Sequence, residues 1–164
     1  MSFNGNSRAL LGWKWVDDTL TDAQSNSKTQ TISEGSGSGE GDASWSSIDA
    51  QLLDTATVEY DFTALPFDSL GVTGTRSFRT IIAILISSSS DSTGGLQIGG
   101  ASTNQWQGPF IDTSDKISLE PGSQYLHTEY NEGWPVSSSV KNLKLEAGGG
   151  DVTYTIAVVG VLTI

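Results

Sequence analysis

The sequence holds one histidine, His127, and no cysteine. Those two counts bound most of the chemistry available to the chain. A serine–histidine–acid arrangement needs an imidazole held between a nucleophile and a carboxylate. Serines are plentiful, but none sits in a Gly-x-Ser-x-Gly elbow. His127 also falls on a short strand expected over Ser123–Thr128, where a surface imidazole is the default. No catalytic residue is therefore assigned, and the chain is read as non-enzymatic. Without thiolates, a metal would need carboxylates and carbonyls, which means calcium or magnesium. Three acidic groupings are candidates: Asp17–Asp18, Glu34 with Glu40 and Asp42, and Asp112 with Asp115. None has EF-hand spacing, and Asp in turns ordinarily caps local backbone donors. Calcium as a loop staple stays the alternative, and no metal ligand is assigned. Gly94–Gly95, Gly99–Gly100 and Gly148–Gly150 do not precede a helix and lack the P-loop lysine, so they read as hairpin glycines and no cofactor is expected.

The remaining side chains of interest are aromatic. Trp106, Tyr125, Tyr130 and Trp134 form either an exposed surface for stacking sugar rings or a core and subunit contact. Contact is the default, because aromatics carry much of the energy of cores and interfaces. Trp13, Trp15 and Trp45 also need cover. They either tuck against their own domain or dock on a neighbouring subunit. Trp13, Trp15, Trp45, Trp106 and Trp134 are thus the interface candidates.

The elements that position these residues are strands. Ala56, Val58, Tyr60 and Phe62 alternate with Thr57, Glu59 and Asp61, the pattern of a half-buried strand. Over Phe78–Ile86 both faces are apolar, with Phe78, Ile82, Ile84 and Ile86 opposed to Ile81, Ala83 and Leu85. A central strand covered on both sides is expected there. Val152–Val159 reads the same way. Leu96–Ile98, Lys116–Glu120, Ser123–Thr128 and Asn142–Glu146 are shorter strands. Pro121–Gly122 suits a type II turn, so 116–120 and 123–128 are expected to form a hairpin. The Gly148–Asp151 turn is expected to reverse 142–146 into the final strand. Leu11, Trp13 and Trp15 mark one further strand. The single helical candidate is Ser46–Asp54, where Ile48, Leu52 and Leu53 could share a face. About eight strands from Ala56 onward, with no strand–helix–strand crossover, predict an all-β fold: an antiparallel two-sheet β-sandwich, jelly-roll-like, over residues 54–164. Residues 1–53 differ. They contain the Gly/Ser-rich stretch EGSGSGEGDAS, too poor in apolar side chains to pack, and are expected to form an extended N-terminal arm.

The chain has 164 residues, the size of one domain, and a formal charge of −11. That field repels phosphate backbones and anionic bilayers, so neither nucleic acid nor membrane is an expected partner. Neither a signal peptide nor a membrane-spanning run is apparent, which predicts synthesis in a cytoplasm.

From Phe78 onward the order of segments resembles small tailed-bacteriophage virion proteins. RTIIAILISSSS is followed by LQIGGASTN, then by GPFIDTSDKISLEPGSQYL, then by GWPVSSSVKNLKLEAGGG, and VTYTIAVVG closes the series. The resemblance covers about the C-terminal half and carries no catalytic residue. It implies a capsid decoration (cement) protein on the head surface of a virion, a homotrimer whose partner is the major capsid protein. Two alternatives remain: a receptor- or carbohydrate-binding module of a head or tail fibre, and a tail or connector structural protein.

Overall fold

The computed structural model of the chain describes residues 5–16, 21–35, 37, 40–69 and 71–163, with side chains from Ile32 onward except Ser69. Among the described residues there are fourteen strands and no helix. In the N-terminal part these are β1 (Gly5–Val16), β2 (Thr21–Glu34), β3 (Glu40–Gly41) and β4 (Ala43–Leu52). Next come β5 (Thr57–Asp61), β6 (Leu65–Ser69), β7 (Val72–Arg76), β8 (Phe78–Ser88) and β9 (Gly95–Gly99). The chain continues through β10 (Lys116–Leu119), β11 (Gln124–Thr128), β12 (Trp134–Pro135), β13 (Asn142–Gly148) and β14 (Val152–Leu162).

Two antiparallel sheets face each other across one core, giving the β-sandwich that the alternation predicts. One sheet has the order β10-β9-β13-β5. The other has the order β11-β8-β14-β4, with β12 pairing further along β8. Leu96, Ile98, Leu143 and Leu145 of the first sheet meet Ile84, Ile86, Ile156 and Val158 of the second, and all are essentially buried. β6 and β7 form a separate hairpin, and β1 and β2 pair over twelve positions into a long ribbon.

Three expectations need correction. The segment Ser46–Asp54 is not helical. It lies mostly in β4, which pairs with β14 and begins the sandwich sheet before residue 54. A register shift near Asp49, whose φ is +52°, turns Ile48 out to solvent, and this broken alternation imitated a helical spacing. The strands on either side of Pro121–Gly122 do not pair with each other. β10 pairs with β9 and β11 with β8, so the turn carries the chain from one sheet to the other. The Gly148–Asp151 turn does likewise, since β13 pairs with β5 and β9 while β14 pairs with β8 and β4.

The central strand β8 also departs from strict alternation. Val159 pairs with Ala83 but Gly160 pairs with Ile81, which leaves Ile82 as an extra residue. A second shift follows between Val161 and Leu162. Phe78, Ile81, Ile84 and Ile86 therefore enter the main core. Ile82 and Ala83 join Val161 and Ile32 in a small cluster apart from it. Ile32, at the end of β2, ties the base of the ribbon to the sandwich.

Between the sheets, the Tyr60 and Tyr154 hydroxyls share a hydrogen bond of 2.7 Å, and the Trp45 ring meets Tyr60 edge-on at 5.2 Å. Burial, reinforced by the Tyr60 hydroxyl, pushes the Tyr154 phenol well above the ordinary tyrosine range. Burial raises Tyr125 as well. Below about pH 10 both phenols are protonated folded or unfolded, and they add no pH dependence. Above it the unfolded chain releases protons that the folded chain retains, so stability falls as pH rises. Urea unfolding between pH 8 and 11 is expected to show this loss, and Tyr154→Phe should flatten it. An equally steep loss in the variant would locate the alkaline sensitivity elsewhere.

Candidate functional site

The aromatic side chains converge at the β11/β12 edge of the five-stranded sheet. Tyr125 pairs with Ile86, His127 with Ile84, and Trp134 with Ile81. Cross-strand partners share a face, so all three lie on the face that carries these core isoleucines, at the rim. Their rings join a row of edge contacts that runs out of the core. Phe62 and Trp106 are 4.9 Å apart, Trp106 and Trp134 5.6 Å, Trp134 and His127 5.1 Å, and His127 and Tyr125 5.8 Å. These spacings suit edge-to-face attraction. Phe62 and Trp106 are fully buried, Trp134 and Tyr125 are half-buried, and His127 is exposed. Tyr130 is also exposed, at 40%.

Trp106 is fixed from several sides. Its backbone N–H donates to the Asn142 carbonyl at 2.9 Å. Gly108 lies so close that a Cβ there would come within 2.4 Å of the indole, so only glycine lets the loop rest on the ring. Beside it, Gln105 is 4% exposed, and its amide N and O and the Trp106 Nε1 are buried without a protein partner. Such groups are ordinarily satisfied by buried water.

His127 shares a 2.6 Å hydrogen bond between Nδ1 and the Tyr125 hydroxyl. Together with the Trp134 ring contact, this places the imidazole among aromatic neighbours. Of the acidic groupings, Asp112, Asp115, Glu40 and Asp42 accept backbone hydrogen bonds. Asp115 Oδ2 accepts from the N–H groups of Ile111 and Asp112, at 3.1 and 2.9 Å. Asp112 Oδ1 accepts from the Ser114 N–H and hydroxyl, each at 3.0 Å, and these bonds hold its carboxyl below the usual range. Glu40 Oε2 accepts from the Gly37 N–H, and Asp42 Oδ1 from the Leu162 N–H. Asp17 and Asp18 lie outside the described residues. Among the described residues, no group of three or more acidic or histidine side chains gathers as a metal site. One ion pair ties the sandwich edge: Lys141 Nζ lies 2.5 Å from Asp61. Burial pushes the Asp61 carboxyl up, but the Lys141 and Thr63 bonds outweigh it and hold it below the ordinary range.

The five tryptophans thus divide. Trp45 and Trp106 are spent within the chain's own core, Trp45 donating from Nε1 to the Pro66 carbonyl at 2.7 Å. Trp134 keeps part of its surface. The backbones of Trp13 and Trp15 lie in β1, opposite Gln24 and Asp22, and their side chains fall outside the described residues. Sequence reasoning named Trp106, Tyr125, Tyr130 and Trp134 but did not place Phe62 or His127 in the same row. The pairing of β11 and β12 along one edge of β8 creates that row, and no local spacing reports it. No family model matches the chain, and no curated protein or solved structure is significantly similar to it.

Proposed function

We propose that this chain is a non-enzymatic structural protein of a tailed-bacteriophage virion, a capsid decoration protein that bridges neighbouring capsid subunits. The observation that carries this reading is the β1–β2 ribbon. Its twelve residue pairs join the strands to each other, while its sheet extends only to the two-residue β3. A two-stranded ribbon is marginal in water by itself and gains from packing or strand addition on a neighbour. A compact sandwich with one such ribbon suits a protein that repeats on a lattice, where many modest contacts sum to firm attachment. The proposed partners are the major capsid protein and further copies of the chain, as a homotrimer on the capsid surface.

Co-sedimentation of the full chain with capsids tests this. The double variant Trp13→Ser, Trp15→Ser is expected to lose binding by roughly a hundredfold, as removal of two aromatic anchors would. Its sandwich should melt as before. Undiminished binding by the variant, or none by the parent, would overturn the reading. The half-buried Trp134 beside His127 and Tyr125 favours a second reading, a carbohydrate-binding module of a head or tail fibre. Loss of glycan-array signal on Trp134→Ala would support that alternative.

A further inference from the structure

Between the start of β4 and the β6–β7 hairpin lies a cleft of about 310 Å³, bounded by Ser44–Ser46 on one side and by Pro66–Asp68 and Arg76 on the other. Its construction begins at Gly74, which pairs with Phe67 across the hairpin. A Cβ on Gly74 would come 2.9 Å from the Phe67 ring, so the glycine gives that ring its seat. Arg76, two residues further on, shares the face, and its guanidinium carbon stands 5.1 Å over the ring centroid. At that distance the ring face attracts the guanidinium cation, whose planar fork of N–H donors suits a carboxylate.

The three lysines with described side chains are all matched to carboxylates. Lys116 and Lys144 both meet Glu146, and Lys141 meets Asp61. Among the described residues, no carboxylate lies within ion-pair distance of half-buried Arg76. The one carboxylate lining the cleft, Asp68, accepts from the Gly71 N–H at 3.0 Å. Trp45, beside the cleft, has its own N–H committed to Pro66. Ser44 and Ser46 are exposed at the cleft and add hydroxyl groups.

We propose that this cleft binds a small polyhydroxylated carboxylic acid, of the hexuronic acid class, with its carboxylate on Arg76. A planar guanidinium fork matches a planar carboxylate through two parallel hydrogen bonds. The net charge of −11 penalises a doubly charged phosphate or an acidic polymer more than a single carboxylate. The volume lies at the lower end of ligand pockets, about 300–1,000 Å³, which is room for one sugar residue. The Ser44 and Ser46 hydroxyls suit the ring hydroxyls of such a sugar. This proposal stands apart from the virion reading.

The test is a nuclear magnetic resonance titration of the ¹⁵N-labelled full chain at constant ionic strength. Its reporters are the Trp45 Nε1–H and Arg76 Nε–H signals. Glucuronate is expected to give saturable shifts confined to the cleft, acetate to bind roughly tenfold more weakly, and glucose to give none. Arg76→Gln should abolish the shifts. Arg76→Lys, which keeps charge but loses the fork, should weaken glucuronate about tenfold. Gly74→Val should weaken it too, by displacing Phe67. No saturable response, an unchanged response in Arg76→Lys, or an equal response to glucose would overturn the proposal. An equal response to inorganic phosphate would reduce the cleft to a general anion site and overturn the sugar-acid assignment. Should Arg76→Gln not fold, Arg76→Lys carries the comparison.

Discussion

Trp106→Ala is expected to cost about 3–5 kcal/mol of folding stability, the range for truncating a buried aromatic. The total stability of a domain this size is about 5–15 kcal/mol, so the variant would lose from about a fifth to nearly all of it. The magnitude follows from position. The indole is fully buried, contacts Phe62 and Trp134 edge-on, and carries the Gly108 turn on its surface. Alanine would leave a cavity in place of the indole, next in sequence to Gln105, whose buried amide has no protein partner. Guanidinium unfolding of the variant, read as a shift in midpoint at unchanged slope, measures the effect. A cost below about 1 kcal/mol would mean that the loop closes over the gap. Trp106→Phe keeps most of the volume and is expected to lose distinctly less.

The second large effect belongs to Gly160. A Cβ at this position would stand 2.1 Å from the Thr80 carbonyl oxygen and 3.1 Å from the Ile81 Cα. Both obstacles are backbone of the partner strand, next to the extra residue Ile82, and neither can swing aside as a side chain would. Gly160→Ala is therefore expected to cost about 1–3 kcal/mol or more by forcing β14 from β8. At roughly 2–4 °C per kcal/mol for a chain of this length, melting should fall by several degrees. Gly148→Ala is the control, because nothing lies within 4 Å of a Cβ there. Its effect should stay within about 0.5 kcal/mol. If the two variants melt alike, the steric argument at Gly160 fails.

The strongest sequence signals gave the right elements. The alternation of Val58 and Tyr60, the double-sided run in β8, and the alternation of Val152, Tyr154, Ile156 and Val158 all fall in strands. Val58 and Tyr60 are half-buried against the core, Phe62 is buried just past the end of β5, and the four β14 residues are buried. Pairing was less legible, for a physical reason. A turn such as Pro121–Gly122 declares that the chain reverses, but not whether it stays in its sheet. Here it crosses the core, and the local residues are equally content either way. β4 looks helical in sequence because the shift at Asp49 breaks the two-residue period that identifies a strand. β6 carries Pro66 and β7 carries Gly74, with Gly71 in the turn between them, and these residues suppress a strand signal. Of the candidate site, the residue types were visible, whereas the Phe62–Trp106–Trp134–His127 row depends on contacts between elements far apart in sequence.

The position of β14 carries a consequence for how the protein is made. This strand comes last among those described, yet it fills the middle of its sheet, with β8 on one flank and β4 on the other. Until the ribosome delivers it, β8 and β4 have no partner between them, and the isoleucines of β8 lack one side of their enclosure. Closure of this sheet must therefore await β14 and depends on long-range pairing, which is slow. During that interval the nascent chain exposes unpaired edges that invite association with other copies. A chain cut short before Val152 should therefore be a target for chaperones and proteases, not a smaller working domain.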